Sequence, residues 1–422
     1  MSAQPTLPIQ TPDVLVVGAG PAGLTAAAEL AARHRAGHVL VVDREGAAGG
    51  IPRHSHHTGY GLRDLRRVLT GPAYARRLVR RAAEAGAEIR TRTMVTGWAD
   101  DRTLEVTGPD GRYLIRPGAT VLATGARERP RAARRVPGDR PQGVYTTGQL
   151  QNLVHVHRRA VGERAVVVGA EAVSWSAALT LREAGCTPAL MVSGYARAES
   201  FGAFTAAGRT LLRVPVATRS RVSRIIGGGG RCEAVELEHL DTGRRATFAC
   251  DTVVFTGDWI PDHELVRTGG IALDEGTLGP VTDTALRTSR PGVFAVGNLL
   301  HPVDTADVAA LDGRHAAAHV LAHLRGTDRA AAEGVRLVAD PPFRWVAPQV
   351  LRPRDPAPAR DRLLLWTDEY VRLPRVTVRQ DGRLLTRTTL PWPAAPGRVF
   401  RVPARVLEEV APGGGPVRVG LG

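Results

Sequence analysis

The segment Val14–Leu24, VLVVGAGPAGL, constrains the fold of this chain more than any other stretch. An apolar run leads into a glycine-rich turn, and the residues after the turn continue with helical spacing. Gly18 is placed to make the tight turn, Gly20 to let phosphate groups approach, and Gly23 to let the helix lie close to the strand. This strand, turn and helix predict a site where a dinucleotide pyrophosphate rests on backbone N–H groups.

A second apolar run, HVLVVD, ends at Asp43, twenty residues after Gly23. A carboxylate at this distance accepts hydrogen bonds from the ribose hydroxyls of an adenosine. The alternative is a βαβ unit that binds nothing, but three glycines followed by the acid favour a bound dinucleotide.

The composition is that of an ordinary globular protein, with 422 residues, 43% hydrophobic and 23% charged. The length allows two or three domains. The net charge of +15 would suggest an acidic partner, but all 56 basic residues are arginine and they are spread along the chain. The densest run, Arg63–Arg81, predicts a helix with a solvated arginine face rather than a nucleic-acid site. Without lysine the chain cannot form a Schiff base with pyridoxal phosphate.

The three cysteines, Cys186, Cys232 and Cys250, have no CxxC spacing. This argues against a redox-active dithiol, a zinc ribbon or an iron–sulfur cluster, and we expect no metal site. The N-terminal sequence does not resemble a signal peptide, and no apolar run reaches transmembrane length. We therefore expect a cytoplasmic protein with no membrane span.

The loop after Asp43 is unusually rich in glycine and histidine. The pair Gly49–Gly50 lets the backbone pass close to a flat or charged group. Pro52, Arg53 and the histidines at 54, 56 and 57 follow it. They form either a polar surface loop or a segment in which one histidine faces a cofactor ring.

The next elements complete a first nucleotide-binding domain. The pattern predicts a helix over Gly71–Ala87, an extended run, and a hairpin over Leu104–Pro117 with Asp110-Gly111 at its turn. A buried strand then ends in Ala123-Thr124-Gly125, where the chain leaves the sheet.

A second βαβ unit begins with RAVVVGAEAVS, but its phosphate turn differs from the first. Gly169 is retained, whereas Glu171 and Ser174 replace the second and third glycines. A glutamate there brings a side chain and a negative charge to the place where a pyrophosphate must approach. The next strand ends without an acid for a ribose, and Arg197 is a distant candidate for a phosphate. We predict that this domain does not bind NAD(P)H in the ordinary way; a nucleotide held by other contacts is the alternative.

Both halves end in a strand followed by Thr-Gly, and this duplication predicts an α/β fold of two Rossmann-like three-layer domains. The chain then returns to the first domain through the strand GVFAV and a helix over Thr305–Leu324. The rest reads as a small all-β extension. The expected boundaries are residues 1–145 with 285–330, then 146–284, then 331–422.

With these pieces placed, the chain resembles the two-dinucleotide-binding-domain flavoproteins that include thioredoxin reductases. It is more similar to FAD-containing subunits of opine and amino-acid oxidases or dehydrogenases and of hydrogen cyanide synthase. The resemblance covers about residues 12–325 and rests on GxGPAGL, the acid Asp43, GGIPRH, LATGARERP, FTGDWIP and GVFAVGN. It implies FAD in the first domain.

The resemblance also implies which residues hold FAD. The pyrophosphate would lie on the first turn, the adenosine ribose on Asp43, and adenine against the backbone of Val95. The flavin would lie along Gly50 and Ile51, with the Thr-Gly turn near the cofactor and Gly297 near the ribityl phosphate. The full set is Gly18, Gly20, Pro21, Ala22, Gly23, Asp43, Arg44, Gly50, Ile51, Val95, Ala123, Thr124, Gly125, Gly297 and Asn298.

Three departures separate the chain from these families. Asn298 stands where the family usually has Asp, but an amide can still bond a ribityl hydroxyl. The CxxC of thioredoxin reductases is absent, and the β extension replaces a cysteine-rich cluster-binding region. Neither a resident dithiol nor an iron–sulfur relay is therefore expected in this chain.

We therefore expect an FAD-dependent oxidoreductase that oxidises a small amine, amino-acid or opine-like substrate by hydride transfer to flavin. His54, His57 and His301 are the candidates for proton handling, and Arg53 for binding a substrate carboxylate. One alternative is an NAD(P)H-dependent reductase with an atypical nicotinamide site. Another is a flavin-binding electron-transfer subunit of a heteromeric dehydrogenase. The candidate protein partners are a second flavoprotein subunit or a second copy of this chain in a homodimer. A nucleic-acid partner is not expected.

Overall fold

Parallel sheets organise both predicted Rossmann-like halves of the computed structural model, which describes residues 7–34, 37–200, 202–302, 304–327 and 333–422. The helices are α1 (Pro21–Arg33), α2 (Gly71–Glu84), α3 (Thr147–Gln151), α4 (Ala172–Glu183), α5 (Gly202–Leu211), α6 (Glu264–Thr268) and α7 (Ala306–Leu324). The strands up to residue 128 are β1 (Ile9–Gln10), β2 (Val14–Val17), β3 (Val39–Val42), β4 (Thr58–Tyr60), β5 (Leu69–Thr70), β6 (Glu88–Arg90), β7 (Met94–Trp98), β8 (Leu104–Gly108), β9 (Gly111–Ile115), β10 (Ala119–Leu122) and β11 (Ala126–Glu128).

The remaining strands are β12 (Val144–Thr146), β13 (Arg164–Val168), β14 (Thr187–Val192), β15 (Val216–Ala217), β16 (Ser220–Gly228), β17 (Arg231–His239), β18 (Arg245–Ala249), β19 (Thr252–Phe255), β20 (Trp259–Pro261), β21 (Val293–Ala295), β22 (Val335–Ala339), β23 (Phe343–Ala347), β24 (Val350–Leu351), β25 (Arg362–Thr367), β26 (Arg375–Gln380), β27 (Arg383–Thr389), β28 (Phe400–Pro403) and β29 (Val417–Leu421). A π-helical turn, Asn152–Val156, directly follows α3. No helix among the described residues combines the length and the apolar character needed to cross a membrane.

Chain contacts divide the protein into two compact units. Unit 1 contains Met1–Arg53, Gly59–Ala126 and Pro261–Gly422, and unit 2 contains His54–Thr58 and Arg127–Ile260. The β-rich C-terminal region therefore belongs to the same unit as the first nucleotide-binding half.

Unit 1 is built around a parallel sheet with strand order β21-β10-β2-β3-β6. Every residue of β2 and β3 is buried, because a parallel sheet is covered on both faces. Helices α1, α2 and α7 share one apolar core with this sheet and with the four-stranded sheet β1-β9-β8-β7. These three layers confirm the predicted fold class for the first half.

Unit 2 repeats the plan with a parallel sheet of order β12-β19-β13-β14-β15. Side chains alternate along β13: Ala165 and Val167 pack with α3 and α4, whereas Val166 packs with the antiparallel strands β16 and β17. The sheet therefore separates two apolar layers, as a Rossmann-like domain requires.

Local sequence signals fix several element boundaries. The expected hairpin forms from β8 and β9, and Gly111 at its turn has a φ of 110°. Helix α2 ends at Glu84, three residues before the expected end, and Gly86 follows with a φ of 96°. Helix α7 begins at Ala306, with Thr305 as its N-cap.

The C-terminal region has two sheets, of order β24-β22-β29-β26-β27 and β23-β25-β28, around an apolar core of its own. Buried ion pairs attach it to the segment before β21. Asp283, of which 1% is exposed, accepts from the Arg287 guanidinium at 2.8 Å and from Arg352 Nε at 2.9 Å. Asp355 pairs with the same Arg287 at 2.9 Å. Charges of both signs are therefore matched inside the unit.

We expect Asp283→Asn to lower the free energy of unfolding of unit 1 by about 3 kcal/mol, because it leaves two buried guanidinium groups with one carboxylate. Equilibrium urea unfolding measures the change. Asp110→Asn, on the exposed hairpin turn, is the control and should change it by less than about 0.5 kcal/mol. Equal effects of the two substitutions would contradict a stabilising role for the network.

Candidate functional site

The first glycine turn leaves room for a ligand at one position only. A Cβ at Gly18 would lie 2.4 Å from the Ala123 carbonyl oxygen, and one at Gly23 would lie 2.0 Å from the Gly18 carbonyl oxygen. A Cβ at Gly20 would meet no atom within 4 Å. Gly18 and Gly23 therefore serve the close packing of α1 on the sheet, whereas Gly20 borders open space at the N-terminus of α1, as pyrophosphate binding requires.

Asp43 is fixed at the end of β3 by backbone donors. Its Oδ2 accepts the Ala19 N–H at 2.6 Å, and its Oδ1 accepts the Glu45 N–H at 2.8 Å. Each oxygen keeps a further lone pair for a ribose hydroxyl. The neighbouring Arg44 lies 3.2 Å from Asp262 and is exposed.

The Gly49–Gly50 pair passes directly over the first turn of α1. Both residues have positive φ, 125° and 62°, and a Cβ at Gly50 would lie 2.9 Å from the Gly20 Cα. Ile51 follows and is 49% exposed. The glycine pair thus brings the predicted flavin-lining segment to the predicted pyrophosphate turn.

The turn before α7 meets the same helix from another direction. Gly297 has a φ of 72°, and its Cβ would lie 2.7 Å from the Ala22 Cβ. Asn298 donates from Nδ2 to the Asp304 carbonyl at 3.1 Å and accepts the Asp304 N–H at 2.9 Å. Its amide therefore closes a loop, and the second Nδ2 hydrogen remains for a ribityl hydroxyl.

The remaining predicted cofactor residues lie on neighbouring strands. Ala123 donates its N–H to Val17 at 2.8 Å and borders Gly18. Thr124 donates its hydroxyl to the Asp262 carbonyl at 2.8 Å, and Gly125 accepts the Asp262 N–H at 2.9 Å. Val95 lies in β7, opposite Val106, outside the parallel sheet. The structure thus gathers Gly18, Gly20, Pro21, Ala22, Gly23, Gly50 and Gly297 around the first turn of α1.

The two catalytic candidates of unit 1 have partners of their own. Arg53 donates to the Ala47 carbonyl at 2.7 Å and lies 3.6 Å from Glu45. His301, of which 1% is exposed, stacks on Trp345 with 5.2 Å between ring centroids. Among the described residues, His301 Nε2 is buried without a hydrogen-bond partner. This nitrogen is chemically suited to bind or move a proton once a ligand reaches it.

His54 and His57 belong to unit 2. His54 is buried, and His57 lies 2.8 Å from the Thr58 carbonyl through Nδ1. Between them, His56 stacks on His155 with ring centroids 3.9 Å apart. Burial, and then the neighbouring His56, lower the pKa of His155. The four predicted catalytic residues are therefore divided between the two units.

The second glycine turn is filled by its own side chains. Gly169 keeps the positive φ, 128°, but Glu171 is the N-cap of α4 and donates its N–H to the Ser174 hydroxyl at 3.1 Å. Ser174 is also 2.6 Å from the Thr256 hydroxyl. A Cβ at Gly257 would lie only 1.5 Å from Glu171 Oε1, so the carboxyl group lies against the Gly257 backbone.

Burial raises the pKa of Glu171 to about 8. The nearby Glu199 carboxylate adds to the rise, and the Arg134 guanidinium opposes it. The carboxyl group is therefore mostly protonated at neutral pH. The sequence-based argument from negative charge is consequently weak at pH 7, whereas the argument from side-chain volume remains.

Long-range pairs at α7 were not visible in the sequence. Arg63 lies 3.3 Å from Asp307, and Arg401 of the C-terminal region lies 2.5 Å from Asp304. Arg360 pairs with the buried Asp312. Each pair joins residues at least 48 positions apart, so no local spacing indicates it.

The fold also brings two distant cysteines together. Cys232 and Cys250 are both buried and belong to the same apolar cluster, where their thiols interact. This interaction and burial raise the pKa of Cys250. The absence of CxxC spacing therefore did not exclude a thiol pair, although burial protects it from oxidants. No group of three or more His, Cys, Asp or Glu side chains arranged to hold a metal occurs within the described ranges.

Comparison with known proteins bears on this site. Residues 12–313 match the family described as "Pyridine nucleotide-disulphide oxidoreductase". The chain is 27% identical to an opine oxidase subunit of Agrobacterium tumefaciens over 74% of its own length and 66% of the relative's. It is also 27% identical to the alpha subunit of a Corynebacterium sarcosine oxidase over 65% of its length and 29% of the relative's. The chain thus spans about two thirds of the first relative and less than a third of the second.

The likeness to solved structures concerns the fold. The thioredoxin reductase of T. acidophilum superposes with a TM-score of 0.62 at 22% identity, covering 75% of this chain and 99% of that one. Together with the family match, these comparisons identify the cofactor as FAD. We call the residues gathered around the first turn of α1 the FAD cradle, and the open space beside Gly20 fits the pyrophosphate of FAD. The assignment of individual residues to FAD stays a prediction.

Substitutions at Gly20, which borders open space, and at Gly18, which packs against the sheet, should separate effects on folding from effects on cofactor binding. We expect Gly20→Ala to leave the apoprotein melting temperature unchanged, because the Cβ meets no atom, and to weaken FAD binding at least about tenfold by narrowing the pyrophosphate approach. Gly18→Ala is the contrast variant, because its Cβ collides with the sheet and its φ is strained. It should destabilise the apoprotein itself.

Thermal unfolding of the apoproteins and fluorescence titration with FAD provide the two measurements. Unchanged FAD affinity in Gly20→Ala would show that the pyrophosphate does not approach this residue.

Proposed function

Because this chain belongs to the pyridine nucleotide-disulphide oxidoreductase family and is an FAD-dependent oxidoreductase, we propose that it oxidises a small amine, amino-acid or opine-like substrate without ordinary use of NAD(P)H. The names of its opine oxidase and sarcosine oxidase relatives support the substrate class. The observation that carries the rest is the Glu171 carboxyl group in the second phosphate turn.

The two Thr-Gly turns show how Glu171 changes the second half. A Cβ at Gly125, in the first half, would meet no atom within 4 Å. At the corresponding Gly257, the same space holds the Glu171 carboxyl group. Ser174 supplies the hydroxyl that accepts the Glu171 N–H, a backbone donor that a phosphate would otherwise use. Steric occupation and satisfied donors both disfavour a pyrophosphate here.

Arg134 stabilises the second phosphate turn, the one that Glu171 fills, through backbone carbonyl groups. Its guanidinium donates to the Thr256 carbonyl at 3.0 Å and to the Gly257 carbonyl at 2.7 Å, and it lies over the Phe255 ring at 5.3 Å. A guanidinium committed to two carbonyl oxygens is poorly placed to bind a phosphate as well. The arrangement therefore supports a structural role for the second nucleotide fold.

If NAD(P)H does not supply electrons, the substrate must. Bound FAD would supply the acceptor for a hydride from the substrate carbon next to nitrogen. We propose that Arg53 binds a substrate carboxylate and that His54, His57 or His301 accepts the amine proton. For His301, Trp345 fixes the ring, and the buried Nε2 has no hydrogen-bond partner among the described residues.

A second candidate function is a flavin-binding subunit that passes electrons within a heteromeric dehydrogenase. Both of the oxidase relatives are named as subunits, and this favours it. An NAD(P)H-dependent reductase with an atypical nicotinamide site is the remaining alternative, and the first experiment below excludes or establishes it.

Anaerobic mixing tests the electron source. We expect neither NADH nor NADPH to bleach the FAD absorbance rapidly, whereas at least one member of a panel of amines, amino acids and opines does. Rapid bleaching by a nicotinamide cofactor would overturn the proposal. Bleaching by no compound of the panel would favour the electron-transfer subunit.

The same bleaching assay on variants tests whether Glu171 in the second phosphate turn prevents reaction with NADPH. Glu171→Gly combined with Ser174→Gly should gain NADPH reactivity, because it reopens the turn. Glu171→Gln is the matched control, which cannot ionise and keeps the side-chain volume, and it should stay unreactive. Reactivity in the glutamine variant would mean that ionisation of Glu171, not side-chain volume, closes the site.

The raised pKa of Glu171 predicts a pH-dependent stability. The folded state binds the proton up to about pH 8, whereas the unfolded chain loses it near 4.5, so stability falls as pH rises between these values. Glu171→Gln abolishes this loss. We expect the variant to melt about 5 °C above the natural protein at about pH 9 and close to it at about pH 5.

Melting curves followed by circular dichroism provide the measurement, with the exposed Glu84→Gln as the control variant. A constant difference at all pH values would show that Glu171 is ionised in the folded state throughout the range.

A further inference from the structure

Helix α2 and the loop before it carry a cluster of arginines in unit 1. We call it the arginine face; its members are Arg66, Arg67, Arg76, Arg77, Arg80 and Arg81. Along α2, Tyr74, Ala75 and Leu78 are buried, whereas Arg76, Arg77 and Arg80 lie on its outer side. Helical spacing thus puts the apolar residues inward and the guanidinium groups outward.

The positive charge of this face is not matched locally. Among the described residues, none of the six arginines forms an ion pair, whereas the nearby Arg63 pairs with Asp307. Asp64 and Glu84 are the two carboxylates of this loop and helix, against the six arginines of the face. Asp64 accepts the Tyr74 hydroxyl at 2.6 Å, and burial raises the pKa of Asp64. The face therefore keeps a net positive field that attracts an acidic surface.

The face adjoins the elements that form the FAD cradle. A Cβ at Gly49 would lie 2.8 Å from the Ala75 Cβ on α2, and the next glycine touches Gly20. In the preceding loop, the Arg63 N–H donates to Asp307 Oδ2 at 2.9 Å, in the first turn of α7. Both elements that carry the arginines are therefore in contact with cofactor-binding segments.

Apolar side chains accompany the charges. Leu62 is 53% exposed and Val68 is 64% exposed. Both belong to the loop that carries Arg66 and Arg67. Apolar anchors surrounded by arginine are typical of protein interfaces. Nucleic-acid sites combine basic residues with exposed aromatic ones instead, and Tyr74 of α2 is buried.

From these observations we infer that the arginine face docks an acidic one-electron carrier protein that reoxidises the FAD. The inference rests on the proposed function only in that the chain is an FAD oxidoreductase, and it names the class of electron acceptor. Oxidation of the anionic reduced flavin (FADH⁻) would release two electrons and one proton. Two carrier molecules would each accept one electron, and the proton would pass to solvent.

Photoreduction of the holoprotein tests the inference without a substrate. The FAD is reduced anaerobically with light and deazaflavin, and the enzyme is mixed with the soluble domain of cytochrome b5, an acidic haem protein. We expect the second-order rate constant of haem reduction to fall at least about tenfold between about 20 mM and about 300 mM salt, because screening removes electrostatic steering.

Two triple variants separate the effect of the arginine face from the effect of the net charge of the protein. Arg76→Glu, Arg77→Glu and Arg80→Glu together should lower the low-salt rate constant at least about tenfold. The control, Arg375→Glu with Arg383→Glu and Arg387→Glu, changes the net charge equally on the β26–β27 hairpin and should stay within about threefold of the natural protein. Reduction of neutral 1,4-benzoquinone should be the same in all three proteins, and FAD content reports their folding.

Several outcomes would overturn the inference: a salt-independent rate, equal losses in both variants, or an equal loss with benzoquinone. Loss of duplex DNA retention in the face variant, with unchanged cytochrome reduction, would assign the face to nucleic acid instead. Because light supplies the electrons, failure here leaves the substrate and NADPH experiments intact, and their failure leaves this one intact.

Discussion

Close backbone contact around the first turn of α1 is the constraint on which the cofactor half depends. The Gly23 position faces the Gly18 carbonyl, Gly297 faces the Ala22 side chain, and a Cβ at Gly313 would lie 2.1 Å from the Ala22 carbonyl. No larger residue fits at these positions, so α1 lies directly against β2 and α7. The N-terminal ends of two helices are thereby held near one ligand, where their N–H groups favour negative charge.

The duplicated half shows what happens when the same fold loses that opening. Its strands, its positive φ at Gly169 and its Thr-Gly turn are all retained. One side chain, Glu171, occupies the remaining space and is sealed by Ser174, Thr256 and Arg134. The domain can then keep its sheet and its core while its nucleotide site is filled from within. The sheet and core of a nucleotide fold can therefore be retained while the side chains of its phosphate turn change.

Much of the architecture could be predicted from the sequence because it depends on short-range signals. Runs of apolar residues predicted the two buried VLVV strands, and Asp110-Gly111 predicted the turn of the β8–β9 hairpin. The side chains that complete the site could not be predicted, since they meet across long separations. Trp345 lies on His301, Asn298 closes onto Asp304, and Cys232 meets Cys250 through the sheet register. Burial, which sets the pKa of Glu171, is likewise a property of the folded chain alone.

The attachment of the C-terminal region by arginine has a consequence for how the protein tolerates alkali. Burial alone would lower the pKa of Arg360, but the nearby Asp312 and Asp304 carboxylates raise it by more, so the net shift of the pKa is upward. A guanidinium keeps its charge at every pH that a protein survives. The Arg360 contact between the β-rich region and α7 therefore keeps its charges at alkaline pH. The second phosphate turn of unit 2 differs, because Glu171 ionises as the pH rises. As pH rises, ionisation of Glu171 should weaken unit 2 first, and partial unfolding should begin there.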